Sequence, residues 1–327
     1  MTPREIVLAN INRTESPRPG LTFDRGRIDD FLWSWVGPTG YQPKRWQEGA
    51  LEFYDDEWGN VWVRMMEGSA KGEIRKPVLE DWSQLPSLRL PVYDVAECTR
   101  RIKDAFAGNP ARKFKVAGIG GWIFDNARYL RKMEIYFMDM ALYPDELDEL
   151  HRKVISVYEK KIHAAGQAGA DAICIGEDLG TQNGLLFSPA MFRRFFKPEY
   201  TRLMRLVHEY GMKILMHSCG LNWELLDDLL DCGIDCFQFD QPAVYDMPAL
   251  GAKLKARRAA LWAPVDIQKV LPTGDRDLIE GETRRLVDIF GGGLILKNYP
   301  DLPGIGVKPE WDQWAYDEAL RYCGVHA

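Results

Sequence analysis

The chain has 327 residues with a formal net charge of −6, and its 46% hydrophobic and 28% charged residues are ordinary for a globular enzyme. This acidic balance lacks the basic footprint of a nucleic-acid binder, so we expect no nucleic-acid partner. The six cysteines are scattered, the N-terminus is polar and no apolar run reaches about 18 residues, which together predict a cytoplasmic protein with reduced thiols and no membrane span.

The first 95 residues are rich in Trp, Pro and Gly, and they predict an irregular N-terminal extension and lid. Residues 21–24 predict one strand within it. The step Gly59-Asn60, followed by alternating Val and Trp, predicts a turn that feeds another strand, as in a hairpin. Five tryptophans lie between positions 33 and 62. We favour a packed lid over an aromatic ligand pocket as their interpretation.

Residues 96–165 are predicted to be mostly helical. Pro144 and the acidic residues that follow it are typical of a first helical turn. Leu147, Leu150 and Val154 then recur at helical spacing, which predicts a long helix with one buried face.

From residue 166 onward, short apolar strands alternate with longer helical patterns. In four of the five repeats a helix ends at glycine, and in all of them a buried strand follows, with a polar residue at or just after its C-terminal end. Such repeats predict a parallel sheet, either a closed barrel or a doubly wound fold. The strands predicted here cover residues 172–177, 213–217, 236–240, 259–263 and 293–296. Residues 21–24 and 115–119 bring the number to seven, and the pattern does not locate an eighth.

The polar residues at the C-terminal ends of these strands are the candidates for chemistry, because active sites of parallel α/β folds lie at that face. They are Glu177, Asp178, His217, Cys219, Gln238, Asp240, Asp266, Gln268, Lys297 and Asp301. No GxGxxG motif follows a first strand and no Walker A sequence is present, which argues against nucleotide binding.

The sharpest feature is the sequence from His217 to Gly220, His-Ser-Cys-Gly, in which an imidazole and a thiol lie two residues apart where a strand opens into a loop. Both groups are good ligands of Zn²⁺, which makes a nearby thiol reactive at neutral pH. A catalytic zinc needs three protein ligands, and we expect Glu177 as the third. The alternative is a buried histidine beside a core cysteine, with Glu177 in a salt bridge or at a helix N-terminus.

Other strand-end residues have both a functional and a structural interpretation. Asp266 and Gln268 can orient a substrate and Lys297 can bind an anion, but a structural salt bridge explains each equally well. Cys232 and Cys236 fall at the N-terminal face of the predicted barrel, where we expect buried structural thiols.

Several motifs together resemble one family. Residues 176–189, Gly-Glu-Asp-Leu-Gly-Thr-Gln-Asn-Gly-Leu-Leu-Phe-Ser-Pro, resemble the "GDD-x-GTQ-x-G-x-x-x-SP" segment of uroporphyrinogen-decarboxylase-like proteins. The other matching segments, in chain order, are residues 129–134, 138–141, 192–198, 217–220, 265–268 and 291–296. The resemblance covers roughly residues 50–315 and implies a single (β/α)8 TIM-type barrel domain over residues 1–327. Residues 1–95 would be the extension and lid, and residues 96–327 most of the barrel.

This superfamily contains haem-pathway decarboxylases and cobalamin-dependent methyltransferases. The decarboxylases carry an N-terminal Arg-Gln-Ala-Gly-Arg motif, and residues 17–23 lack its arginine pair. The methyltransferases use a His-x-Cys pair and a third ligand, often Cys or His, after the last strand. His217 and Cys219 match the pair, whereas residues 297–301 contain neither Cys nor His. The third ligand is then expected to be Glu177 or Asp301.

The resemblance thus implies a corrinoid-dependent methyltransferase that moves a methyl group between a small methylated substrate, such as a methoxy-aromatic compound, and a separate corrinoid-binding protein. Zn²⁺ would act as a Lewis acid in O-demethylation or carry a thiolate acceptor. The expected residues are Glu177, Asp266 and His217 for catalysis, Asp178, Gln182, Gln238, Asp240, Gln268 and Lys297 for substrate, and His217, Cys219 and Glu177 for zinc. The alternatives are a metal-independent decarboxylase or lyase of a small carboxylated substrate, held by Lys297 and nearby arginines, and a non-catalytic binding barrel.

Overall fold

The computed structural model describes residues 1–66 and 72–325. Within them the α-helices are α1 (Pro3–Ile11), α2 (Val95–Ala107), α3 (Ile123–Arg131), α4 (Met133–Leu142), α5 (Pro144–Gln167), α6 (Pro189–Phe195), α7 (Lys197–Glu209), α8 (Leu226–Cys232), α9 (Met247–Ala256), α10 (Arg276–Phe290) and α11 (Pro309–Tyr322). Short 3₁₀ helices cover Trp82–Ser87, Trp223–Leu225, Pro242–Val244, Leu271–Thr273 and Pro303–Ile305. None of the described helices combines the length and apolar composition that a membrane span requires.

The strands of the described residues form three sheets. They are β1 (Gly20–Thr22), β2 (Phe31–Trp35), β3 (Arg45–Glu48), β4 (Leu51–Asp55), β5 (Val61–Met65), β6 (Glu73–Lys76), β7 (Phe114–Gly118), β8 (Ala172–Gly176), β9 (Gly180–Thr181), β10 (Gly184–Leu185), β11 (Lys213–His217), β12 (Cys236–Gln238), β13 (Ala260–Ala263) and β14 (Leu294–Lys297). The chain divides into two compact units. The barrel unit comprises Met1–Ser34, Asp104–Gly118 and Ala170–Ala327, and the second unit comprises Trp35–Lys103 and Ile119–Gly169.

The barrel unit is built on an eight-stranded sheet in the order β1-β14-β13-β12-β11-β8-β7-β2. In this order, each pair of neighbouring strands from β1 to β7 is parallel. The two end strands, β1 and β2, follow each other in the chain, and the backbone N–H of Asp30 donates to the carbonyl oxygen of Leu21 at 2.7 Å. The sheet is therefore a nearly closed (β/α)8 barrel, which confirms the predicted fold class.

The eighth strand, which the sequence pattern did not locate, is β2. Its residues Phe31 and Trp33 face the barrel interior, where their rings lie 5.3 and 6.0 Å from the ring of Trp262. Bulky aromatic residues alternate here with Leu32 and Ser34, unlike the continuous aliphatic runs of the later strands. This composition explains why the segment was assigned to the irregular extension. The expectation that residues 1–95 form a lid stays a prediction.

Alternate residues of the strands pack the lower barrel interior, and α1 lies beneath them. Val7 and Ile11 of α1 belong to the same buried cluster as Phe31, Phe114, Val116, Ala172, Leu215, Cys236, Ala260, Trp262 and Ile295. Arg13 donates to the carbonyl oxygen of Ala259, which precedes β13, so α1 covers the N-terminal ends of the strands. Thr2 and Glu5 form a capping box that begins this helix, a signal that our sequence analysis did not use. Cys232 and Cys236 are buried, as predicted.

The second unit contains the antiparallel sheet β3-β4-β5-β6 and helices α3 to α5. The strands β4 and β5 form the predicted hairpin. Asp56 holds its turn by accepting the backbone N–H groups of Trp58 and Asn60, both at 3.0 Å. Trp58 and Trp62 are buried, and the indole N–H of Trp62 donates to Asp56 at 2.7 Å. These two tryptophans are therefore structural residues of this sheet.

The long helix of this unit also agrees with the sequence. It begins at Pro144, where the sequence places a helix start, and continues to Gln167. Leu147, Leu150 and Val154 are fully buried, as their helical spacing predicts.

Candidate metal centre

The C-terminal ends of β8, β11 and β12 bring the strongest candidates together. In the parallel register, His217 pairs with Gly176 on one side and with Gln238 on the other. Side chains alternate between the two faces of a strand, and Leu215 belongs to the buried barrel interior. His217, two residues further along, therefore faces the same interior one layer nearer the C-terminal end.

Three side chains converge on one point there. Among the described residues, Asp178, His217 and Cys219 form a group whose possible ligand atoms all lie within 4.8 Å of one another. The Nε2 atom of His217 is 3.5 Å from Sγ of Cys219 and 3.5 Å from Oδ1 of Asp178. One imidazole nitrogen, one thiolate sulfur and one carboxylate oxygen are donors that zinc takes, and three protein ligands leave a position for substrate. The donor set therefore fits a catalytic zinc ion.

The loop that carries Cys219 is held by Asn222, its own last residue, and by Tyr245 from outside it. The side-chain amide of Asn222, which is fully buried, donates to Oγ of Ser218 at 3.0 Å and to the carbonyl oxygen of Cys219 at 3.1 Å. The hydroxyl of Tyr245 donates to the carbonyl oxygen of Gly220 at 2.8 Å. These bonds fix the backbone on which the sulfur depends. The sequence analysis missed both Asn222 and Tyr245, because neither ends a strand.

The same loop is bonded to the loop that carries Asp178. The backbone N–H of Cys219 donates to Oδ1 of Asp178 at 2.9 Å. Gly220 has a φ of +80°, and a Cβ atom there would lie 2.5 Å from the backbone carbonyl of Gly180. Only glycine fits this conformation and this close approach. The glycine of the His-Ser-Cys-Gly sequence thus lets the two loops approach each other.

The three side chains of the cluster change one another's pKa. Burial lowers the pKa of His217, but its hydrogen bonds to Asp178 and Cys219 outweigh this effect and raise that pKa well above its usual value. Burial raises the pKa of Asp178, but the His217 imidazole and the Cys219 backbone N–H lower it to about 2. Burial also raises the pKa of Cys219. The cluster therefore retains a permanent carboxylate at neutral pH and favours a cation beside it.

Behind His217 lies a buried chain of polar side chains. The Nδ1 atom of His217 is hydrogen-bonded to Oε1 of Gln238. The amide nitrogen of Gln238 donates to Oδ1 of Asp240 at 2.7 Å, and Nζ of Lys297 donates to the same oxygen at 2.9 Å. Burial raises the pKa of Asp240, but Lys297 and His217 lower it below its usual value, so this carboxyl group is ionised.

Glu177 lies on the opposite side of the strand from this cluster. Gly176 shares the register of His217, so the next residue faces outward and Asp178 faces the cluster again. Glu177 is buried, and the hydroxyl of Tyr200, on α7, donates to its Oε1 at 2.5 Å. Its placement does not support the expectation that Glu177 is the third ligand or a catalytic group. Asp178, expected to bind substrate, is the carboxylate that lies with His217 and Cys219 instead.

Comparison with known proteins identifies the family of this barrel. Residues 60–309 match the family model described as "Uroporphyrinogen decarboxylase (URO-D)". The chain belongs to the URO-D family. The matched region contains the three candidate ligands, and the family predicted from the sequence motifs is confirmed.

Two curated relatives of this URO-D protein are methyltransferases of Methanosarcina. Over 147 residues, which are 45% of this chain and 39% of the relative, it is 29% identical to "Methylcobamide:CoM methyltransferase MtaA" of Methanosarcina barkeri. Over 111 residues, which are 32% of this chain and 28% of the relative, it is 28% identical to "Methylated-thiol--coenzyme M methyltransferase" of Methanosarcina mazei. Each match thus spans well under half of the relative's length.

The fold of the URO-D chain is also found in a solved structure. A methyltransferase from Methanosarcina mazei superposes with a TM-score of 0.58 over 81% of this chain and 73% of that chain, at 19% identity. At this identity the likeness shows the fold alone.

The other strand-end carboxylates of the URO-D chain are engaged by backbone amides. Asp266 is fully buried and accepts the N–H groups of Gln268 and Lys269 at 2.9 and 2.7 Å, and that of Ala243 at 3.0 Å. Asp301 accepts the backbone N–H of Gly304 at 3.1 Å. This placement supports a structural role for Asp266 rather than a catalytic one, and Asp301 stands outside the cluster of ligands.

The remaining expected substrate-binding residues fall into two groups. Gln182 and Gln268 have exposed side chains, Gln182 in the turn between β9 and β10, and neither belongs to the cluster of ligands. Gln238, Asp240 and Lys297 are joined in the polar chain behind His217. Because Lys297 is paired with buried Asp240, its placement does not support the expectation that it holds a substrate anion.

Proposed function

We propose that this URO-D family member is a corrinoid-dependent methyltransferase with zinc at the C-terminal face of its barrel. The observation that carries the proposal is the convergence of His217 Nε2, Cys219 Sγ and an Asp178 carboxylate oxygen within 4.8 Å. The names of the two curated relatives, which both describe methyl transfer, support the reaction class. When bound, zinc supplies a Lewis acid that activates a thiol or polarises an ether oxygen.

The ligands themselves provide a site of balanced charge. Asp178, with a pKa of about 2, contributes one negative charge at neutral pH. Cys219 contributes a second when its thiol loses its proton on binding the metal. A divalent cation neutralises both, and His217 binds without adding charge. The three side chains are partly exposed, so a substrate can reach the fourth position.

The barrel interior next to the polar chain behind His217 has an aromatic wall, since Lys297 lies over the ring of Trp262. The rings of Trp33 and Trp262 are 6.0 Å apart, and the indole N–H of Trp262 is satisfied by the hydroxyl of Thr22 at 2.8 Å. Lys297, the cation at these strand ends, is already neutralised by Asp240. An apolar, aromatic wall with a neutralised cation favours a small neutral substrate, and we propose a methoxy-aromatic compound as its class. A separate corrinoid-binding protein would then exchange the methyl group.

The alternative of a metal-independent decarboxylase or lyase is less well supported. That chemistry requires a cation that is free to hold a substrate carboxylate, and it predicts activity that survives the replacement of Cys219 by Ser. The pairing of Lys297 with Asp240 engages the lysine that this hypothesis names as a carboxylate partner beside nearby arginines.

Methyl transfer can be tested in both directions with the purified, zinc-loaded chain. In one arm methylcobalamin and a thiol are supplied, and loss of the carbon–cobalt bond is followed as the methyl group, without its bonding electrons, joins the thiolate sulfur and leaves cob(I)alamin. In the other arm a methoxy-aromatic ether and cob(I)alamin yield the phenol and methylcobalamin. We expect turnover in at least one arm and its loss in Cys219→Ala. Equal rates with and without zinc, or in Cys219→Ala, would contradict the proposal.

A further inference from the structure

A neutral imidazole carries one proton, so only one of its two ring nitrogens can bind a metal ion. Either nitrogen of His217 could in principle hold that proton. The Nε2 atom faces Cys219 and Asp178, and Nδ1 faces Gln238. The site can bind a metal only if the proton resides on Nδ1, which makes the origin of that preference a structural question.

The hydrogen bonds of the buried polar residues behind the His217 ring can each run in only one direction, from donor to acceptor. The ammonium of Lys297 can only donate, and the carboxylate of Asp240 can only accept. Asp240 Oδ1 receives Lys297 at 2.9 Å and the side chain of Gln238 at 2.7 Å, so the contact with Gln238 must come from its NH₂ group. The amide oxygen of Gln238 then faces His217. Because an amide oxygen only accepts, Nδ1 must carry the proton.

The three side chains are almost inaccessible to water, so water molecules cannot replace these partners and change which atoms donate. Gln238 is 4% exposed and Asp240 is 6% exposed. The side chain of Lys297 is 11% exposed, and its ammonium lies 5.4 Å from the centre of the Trp262 ring. Each residue stands on or just after a strand of the same parallel sheet. The chain of donors therefore belongs to the rigid part of the barrel.

We infer that Gln238, Asp240 and Lys297 are positioning residues that fix the proton of His217 on Nδ1 and thereby present the Nε2 lone pair to the metal. The inference rests on the proposed function only in naming a metal as the ligand of Nε2. Partners of this kind typically change metal affinity by about 10- to 100-fold without touching the metal. It also assigns Lys297 a role other than binding substrate.

The test compares two variants. One interrupts the series of hydrogen bonds behind His217, and the other reverses the bond between residues 238 and 240. Gln238→Leu removes the acceptor of the Nδ1 proton. In the double variant Gln238→Glu with Asp240→Asn, the new carboxylate accepts from Nδ1 and from the new amide, whose oxygen accepts from Lys297. This double variant keeps the net charge and keeps Nδ1 of His217 as the donor to residue 238. Zinc affinity is measured by competition with a chromophoric chelator, with circular dichroism to check folding.

We expect Gln238→Leu to weaken zinc binding by about 10- to 100-fold, and the double variant to recover most of that loss. Zinc binding by Gln238→Leu that equals the wild type would overturn the inference, as would a double variant as weak as Gln238→Leu. If Gln238→Leu does not fold, the double variant and the spectrum described next still decide.

A second measurement needs no metal and does not depend on the folding of Gln238→Leu. Nitrogen NMR of the ¹⁵N-histidine-labelled, metal-free wild type at alkaline pH distinguishes the two tautomers, with His217→Ala to assign the signal among the five histidines. We expect the proton on Nδ1, and a proton on Nε2 would refute the inference. A wild type that binds no zinc would contradict the proposed function, while this spectrum would still decide the tautomer.

Discussion

The loops that follow β11 and β13 both carry polar residues close to the end of the strand, but their polar side chains have different roles. After β13, Asp266 accepts the backbone N–H groups of Gln268 and Lys269 in its own loop and of Ala243 in another, at 2.7 to 3.0 Å. After β11, the backbone of the loop is held by Asn222 and Tyr245, so His217 and Cys219 can direct their side chains at each other. A polar side chain at a strand end is thus available for a functional site only when other residues make the hydrogen bonds that hold the loop backbone.

The largest effect is expected from removing a ligand after β11. His217→Ala or Cys219→Ala should lower zinc affinity by more than about 100-fold, beyond what the loss of an outer partner costs. The measurement is metal content after dialysis against a weak chelator. Full zinc content in either variant would show that the metal, if bound, lies elsewhere.

A pH change should act on the same loop. Metal binding requires Nε2 of His217 and Sγ of Cys219 to be unprotonated, and both pKa values are raised. As the pH falls through these values, protons compete for the ligand atoms, so zinc affinity must fall with decreasing pH. Loss of one or two protons predicts a change of about 10- to 100-fold per pH unit. Chelator competition between about pH 6 and 8 measures this slope, and a flat profile would be inconsistent with these two ligands.

The two neighbouring carboxylates that follow β8, Glu177 and Asp178, provide a matched pair. Asp178→Asn should weaken zinc binding by at least about tenfold, because it removes the negative charge and replaces the carboxylate oxygen with a neutral amide oxygen. Glu177→Gln should leave zinc affinity unchanged, because Glu177 faces Tyr200 on the other side of the strand. Chelator titration of both variants checks this. The reverse outcome would restore Glu177 as the third ligand and refute the assignment of Asp178.

The smallest effect on zinc is expected after β13. Asp266→Ala leaves three backbone N–H groups without their acceptor and should lower the free energy of unfolding by about 3 kcal/mol. Its zinc affinity should equal that of the wild type. Urea unfolding and chelator titration on the same preparation separate the two properties. A folded Asp266→Ala protein that has lost zinc would show that this loop belongs to the site.

Much of the fold could be predicted because its signals are local. Glycine at a helix end, a short apolar run and a polar residue repeat along the last half of the chain, and this pattern alone indicates βα units. The strand β2 escaped because its interior positions are filled by Phe31 and Trp33 rather than by aliphatic residues. Helix α1 was missed although Thr2 and Glu5 form a capping box in the printed sequence.

The sequence predicts that the site lies at the ends of the strands, but not which side chains there face one another. Which of Glu177 and Asp178 faces the cluster depends on the parity of the strand, and that parity follows from the pairing of Gly176 with His217. A sequence does not contain this register. Tyr245 was missed for a similar reason, since its bond to the loop is made across the tertiary structure. Asn222 was missed although its bonds to the loop are local, because it does not end a strand.

The central claim is that His217, Cys219 and Asp178 hold one zinc ion at the C-terminal face of the barrel. Its most direct test is the metal content of the purified chain, followed by replacement of zinc with Co²⁺ and an optical spectrum. We predict one equivalent of metal and a thiolate-to-cobalt charge-transfer band that disappears in Cys219→Ser. A chain that takes up no metal, or a cobalt spectrum without a thiolate band, would contradict the account.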